Sequence, residues 1–154
     1  MVEINLQVVF IGRKEMFTIR LWHYKLLPVL PDKMLVAEWR ECIAIKRQWE
    51  KGTLKHRLVS YVMEYHKKYF RNYVYLVMEE LRERNIDFKR SLFTEICNFG
   101  YEDGGIVSYN LYYQEHNNRY LKQCLYNLQE KADRGIITPQ EWQLIYDNFK
   151  EYLD

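Results

Sequence analysis

Proline is scarce in this chain: it occurs only at 28, 31 and 139 in 154 residues. Long stretches are therefore free of the strongest helix breaker. Cysteine is limited to Cys42, Cys97 and Cys124. An odd number without paired spacing argues against a disulfide framework or a zinc site, and for reduced thiols. The four histidines, at 23, 56, 66 and 116, include no pair at the i, i+4 spacing of a helical metal site. Solvated or helix-capping roles are expected for them. No apolar run reaches the ~18 residues that would span a bilayer. Met1 to Gly12 is apolar enough for a signal peptide, but Glu3 stands where a basic residue would, and no small-residue cleavage site follows. A cytoplasmic protein is the expectation. A glycine-rich phosphate loop and a nucleophile elbow are both absent.

Hydrophobic residues make up 48% of the chain, which excludes disorder. The length fits one domain with a real core. No internal repeat, low-complexity tract or interdomain linker divides it. The net charge is only +2, but it is unevenly spread. Residues 1–37 carry 5 basic and 3 acidic side chains, residues 38–90 carry 13 and 8, and residues 91–154 carry 5 and 10. From Lys46 to Arg71 there are 8 basic and 2 acidic residues, plus His56 and His66. A localised basic face is the footprint of a polyanionic partner. A solvated helix surface is the alternative reading.

Helical periodicity dominates and predicts an all-α fold, a single bundle of about three long helices with shorter ones. Asp32, after Pro31, can cap a helix to about Trp49, with Leu35, Trp39, Cys42 and Ile43 as its apolar stripe. Lys33, Arg40 and Arg47 recur every seven residues on another face. Thr53 can cap a short helix to about Tyr65. A helix over 67–84 would bury Phe70, Tyr73, Val74, Val77 and Leu81, leaving Lys68, Arg71, Tyr75 and Arg82 on its other face. A further short helix is expected within 87–98, and a loop over 100–105. Asn117 or Asn118 can start a helix lined by Leu121, Cys124, Leu125 and Leu128 and closed by Gly135. Thr138-Pro139-Gln140-Glu141 is a capping box that opens a last helix. Of the tyrosines, 73, 120 and 126 read as core packing, and 65, 69 and 75 as possible base contacts.

Gly12-Arg13-Lys14-Glu15, just before Met16, can be written in purine-only codons, as a translated ribosome-binding site would be. Met16 is therefore the expected start, residues 1–15 an overrun, and 16–154 the domain. The alternative is a β-strand over Ile4 to Phe10, which partly alternates apolar and polar residues.

The most informative segment is Glu38-Trp39-Arg40-Glu41-Cys42, preceded by Ile19-Arg20-Leu21-Trp22. An Arg-Glu pair alone reads as a surface ion pair worth roughly a few tenths of a kcal/mol. Together with Tyr65 to Phe70 and Glu79 to Ile86, however, the segment resembles the phage-type pyrimidine-dimer DNA glycosylases over roughly residues 18–88. That family has Thr-Arg-Ile-Asn-Leu near its N-terminus and Ala-Glu-Tyr-Arg-Glu-Leu in its first helix. The last third, from Asn117 through Trp142, is similar to uncharacterised bacterial and phage members filed with that family.

The resemblance implies DNA repair. A terminal α-amine attacks C1′ of a damaged nucleotide, displaces the base as an imine forms, and β-elimination nicks the strand. An α-amine suits this because its pKa is about 8, against about 10.4 for lysine. By the resemblance, Glu41 is the catalytic glutamate, Arg40 the neighbouring phosphate-binding arginine, and Arg20 the arginine that follows the nucleophile. Ile19 aligns with the nucleophile itself, so the expected amine is that of a terminus at or near Met16. Ala44 stands where the family has a second arginine. The expected DNA-binding residues are Arg20, Lys33, Lys46, Arg47, Lys55, Arg57, Lys68 and Arg71. Damaged duplex DNA is the expected partner of a monomer, with neither metal nor organic cofactor implied. An inert DNA-binding relative and a helical protein-interaction domain are the alternatives.

Overall fold

The computed structural model describes residues 20–105 and 110–154. The expectations for residues 1–15, Met16 and the alternative strand lie outside these. The described residues form five α-helices and no strand: α1 (Asp32–Lys51), α2 (Lys67–Glu83), α3 (Arg90–Cys97), α4 (Asn118–Asp133) and α5 (Pro139–Phe149). The all-α expectation holds. No helix among them is long and apolar enough to cross a membrane.

Helices α1 and α2 are the central pair. The α1 stripe of Leu35, Trp39, Cys42 and Ile43 is buried, as is the α2 face of Phe70, Tyr73, Val74, Val77 and Leu81. Leu121, Cys124, Leu125 and Leu128 of α4 join the same core. Each fully buried leucine or valine is worth roughly 1.5–3 kcal/mol against exposure. Tyr126 departs from the core expectation: it is 52% exposed, because it lies outside the α4 stripe.

Helix ends follow local chemistry. Asn117 caps α4 through the Tyr120 N–H, and Thr138 and Glu141 close a reciprocal capping box on α5. Gly52, at φ +73°, supplies the left-handed residue that ends α1. Two sequence-based expectations fail here. Asp32 is the first helical residue, not the cap, and its carboxylate pairs with Arg84 at 2.9 Å. Thr53 opens no helix. Its hydroxyl donates to the Gln48 carbonyl, residues 53–59 are non-helical, and a 3-10 turn forms only at Ser60–Glu64.

The segment before α1 is also unusual. Residues 20–23 are non-helical and run into a 3-10 helix at Tyr24–Val29 that contains Pro28. Leu21, Trp22 and His23 are buried, so their backbone groups need partners. Side chains provide them. Tyr120 Oη donates to the Leu21 carbonyl at 2.6 Å, Tyr73 Oη to the Trp22 carbonyl at 2.7 Å, and the Trp22 N–H to Glu38 at 3.1 Å. The Tyr24 N–H donates to His116 Nδ1 at 3.3 Å.

Candidate active site

Glu38 and Glu41 lie three residues apart on α1, one helical turn, and so share a face. Glu38 is 2% exposed. Its Oε2 accepts the Trp22 N–H and sits 2.6 Å from Tyr73 Oη. Tyr73 has one hydroxyl hydrogen but two short oxygen neighbours, Glu38 Oε2 and the Trp22 carbonyl. Both contacts are satisfied at once when Glu38 carries its own proton and donates it to Tyr73, which donates onward to Trp22. Burial pushes the Glu38 carboxyl up to about 8, partly opposed by the Tyr73 hydrogen bond and raised further by Glu41. Geometry and desolvation therefore agree on a neutral Glu38 at pH 7.

Glu41 differs. It is half-buried, and its Oε2 is shielded from solvent with no hydrogen-bond partner among the described residues. Burial raises its pKa to about 7. An orphaned buried carboxylate oxygen is costly in a folded protein and marks a candidate functional group. Near pH 7 both of its protonation states are populated, which suits a group that takes and returns a proton. Arg40, the next residue back, is exposed and has no partner among the described residues.

An aromatic cluster adjoins Glu38 through Tyr73, whose ring lies 5.8 Å from that of His116. Neutral His116 accepts the Tyr24 N–H at Nδ1, so Nε2 carries the proton and donates to Tyr61 Oη at 2.8 Å. Burial lowers His116 to about 3 and His23 to about 4, and the two rings stack 5.3 Å apart. His23, His56 and His66 each accept a backbone N–H two residues on; His23 and His66 thereby cap helices as expected, while His56 closes a turn. His116 does not fit that expectation, since it is a core residue.

The predicted cations divide. Arg20 is half-buried and lies over the Trp22 ring, with its guanidinium carbon 5.4 Å from the ring centroid. Burial, then the charges of Arg57 and Arg20, hold His56 below its ordinary pKa. Lys33, Lys55, Arg57 and Lys68 are exposed, although the Lys33 amine reaches the Ile136 carbonyl at 2.6 Å.

Arg71 is a correction. It is fully buried and donates to the Phe99 and Gly100 carbonyls, so it faces the core and not solvent. Lys46 is another. It is 6% exposed and held by Glu50 at 2.7 Å and Glu95 at 3.0 Å. Arg47 is exposed but forks onto both Glu95 oxygens, at 3.0 and 3.1 Å. Of the stripe read from sequence, Arg40 alone has no partner among the described residues. Among the described residues no group of three His, Cys, Asp or Glu is arranged to hold a metal ion.

Residues 19–94 match the sequence model of a family described as pyrimidine dimer DNA glycosylase. The match supports the resemblance over this region. The match covers Arg20, Glu38, Arg40 and Glu41 and ends within α3. Comparisons with curated proteins and with solved structures return no match. The family carries a glycosylase-type role in DNA repair, with DNA as substrate.

Sequence reading missed Glu38 as a site residue, together with Tyr73 and His116. For Glu38 a signal was available: it falls three residues after Leu35 and four before Cys42, within the buried stripe. An acid in that position needs a partner. For His116, whose partners lie 92 and 55 residues away, local sequence holds no such signal.

Proposed function

We propose that this chain excises pyrimidine-dimer damage from duplex DNA and nicks the strand through an imine on its terminal amine. The observation that carries this reading is Glu41: a shielded, unpartnered carboxylate with a pKa near 7, beside an uncommitted arginine, inside the family match. The amine is that of the mature terminus, at or near Met16. Its lone pair forms the N–C1′ bond while the C1′–base bond breaks, and the base leaves with the bonding electrons and takes up a proton. Opening of the sugar ring and loss of the nitrogen's protons give the imine. Removal of a C2′ proton then expels the 3′ phosphate. Glu41 as carboxylate balances the cationic imine and accepts protons; as the acid it returns them. Arg20, Arg40, Lys55, Arg57 and Lys68 hold the backbone phosphates, a face whose affinity falls steeply with salt.

One observation favours a second reading, an inert DNA-binding relative: Ile19 occupies the position of the family's nucleophile. Incision of an end-labelled duplex carrying one pyrimidine dimer separates the two. Nicking at the dimer supports the enzyme. Duplex binding without nicking supports the inert relative.

A further inference from the structure

We infer that Glu38 is a positioning residue for this reaction: it fastens the backbone that follows Arg20 to the face of α1 that carries Glu41. The inference rests on the glycosylase reading for its chemistry but on geometry for its substance. The chain from 20 to 23 has no strand or helix to hold it. It crosses the core as a bare backbone, and side chains from α1, α2 and α4 satisfy its polar groups. Tyr73 and Tyr120 reach it from α2 and α4, their hydroxyls donating to the Trp22 and Leu21 carbonyls. Among the described residues, Glu38 alone reaches it from α1. The same carboxyl oxygen that takes the Trp22 N–H also contacts Tyr73, which in turn holds the Trp22 carbonyl. Both polar backbone groups of Trp22 are thus locked in one closed ring, a single helical turn from Glu41 and two residues from Arg20.

The charged and titratable groups around the ring are few. Arg20 and Glu41 act on Glu38, Glu38 in turn raises Tyr61, and Cys42 lies one turn further along α1. Among the described residues none of these groups accepts the Trp22 N–H in place of Glu38. Loss of the Glu38 oxygen therefore frees the segment relative to Glu41 without removing any group that touches DNA. A displacement of about 1 Å at a reacting centre costs on the order of 100-fold in rate.

The test compares the full-length chain with Glu38→Leu, Glu38→Gln and Tyr73→Phe. Three readouts are needed: amide hydrogen exchange at Trp22, the single-turnover nicking rate on a duplex with one abasic site, and the Kd for that duplex. Glu38→Leu should speed Trp22 exchange and lower the nicking rate by about 10- to 100-fold, with Kd changed less than about twofold. Glu38→Gln keeps an acceptor oxygen for the Trp22 N–H but carries its donor on a separate atom, and should recover most of the exchange protection and rate that Glu38→Leu loses. Should Glu38→Leu fail to fold, Tyr73→Phe opens the same ring from the other side and should show a smaller loss of the same kind. Wild-type nicking by a variant whose Trp22 amide has opened overturns the positioning role and leaves the glycosylase reading intact. Absence of nicking in the unaltered chain overturns the glycosylase reading, and the positioning role with it, while the exchange data still report whether the ring holds Trp22.

Discussion

Stability should be greatest on a plateau between about pH 4.5 and 6.5 and should fall on both sides, because the core holds two acids and two imidazoles in their neutral forms. The sign follows from which state keeps the proton. Glu38 and Glu41 have pKa values of about 8 and about 7 when folded, against an ordinary 4.5. Above pH 4.5 the unfolded chain releases these protons and the folded chain keeps them, so stability falls as pH rises. His23 and His116 are lowered to about 4 and about 3 from an ordinary 6.5. Below pH 6.5 the unfolded chain protonates them first, so stability falls as pH drops. Between the two ordinary values the two acids and two imidazoles oppose each other. Above pH 6.5 only the acids act, and at ~1.4 kcal/mol per pH unit they remove about 3 kcal/mol by pH 8.5. Below pH 4.5 the imidazoles act. Glu95 adds to the acid side, because its Arg47 and Lys46 contacts hold its carboxyl below the ordinary range. Urea unfolding at pH 3.5, 5.5 and 8.5 measures all three regimes. Glu38→Gln should flatten the alkaline arm by about 2 kcal/mol. A wild-type stability that is level or rising from pH 6.5 to 8.5 would refute a protonated Glu38.

Three further outcomes follow from the site. Glu41→Gln should lower nicking by about 100-fold or more while leaving duplex Kd nearly unchanged, since it removes a proton acceptor that repels phosphate; a parallel loss of binding would mean that Glu41 orders the interface instead. Arg40→Ala should weaken binding and reduce the slope of log affinity against log salt by about 0.9, the value of one phosphate contact. Arg71→Met should cost about 2–4 kcal/mol in urea unfolding with little effect on Kd, because two carbonyls lose a buried charged donor. Normal stability with weakened binding would return Arg71 to the DNA-binding face.

The helices were legible because their signals are local and repeated. The α1 stripe, the Asn117 cap and the Thr138 capping box could each be read from residues three or four apart. Arg71 was misread because periodicity does not say whether an arginine beside an apolar stripe reaches water or a carbonyl 28 residues away. Asp32 looked like a cap because its partner, Arg84, is 52 residues distant. Charge density likewise marked Lys46 and Arg47 as basic surface, although Glu95 on α3 neutralises them from outside the counted stretch. Glu41 and Arg40 are singled out by the resemblance alone. What sequence could not supply was their contrast: one carboxylate left without a partner, and its neighbour a turn earlier locked to Trp22.

Borohydride trapping tests the imine most directly. The full chain, incubated with a dimer-containing or abasic duplex and reduced at pH values between about 6 and 9, where an α-amine titrates, should become covalently joined to DNA. Peptide mapping of the adduct should place the bond on the mature α-amine at or near Met16, and Glu41→Gln should still bind the duplex without nicking it. An adduct on a side-chain amine such as Lys25 or Lys46 would contradict the terminal-amine mechanism. No adduct at any pH in that range, with duplex binding intact, would contradict the enzymatic reading altogether.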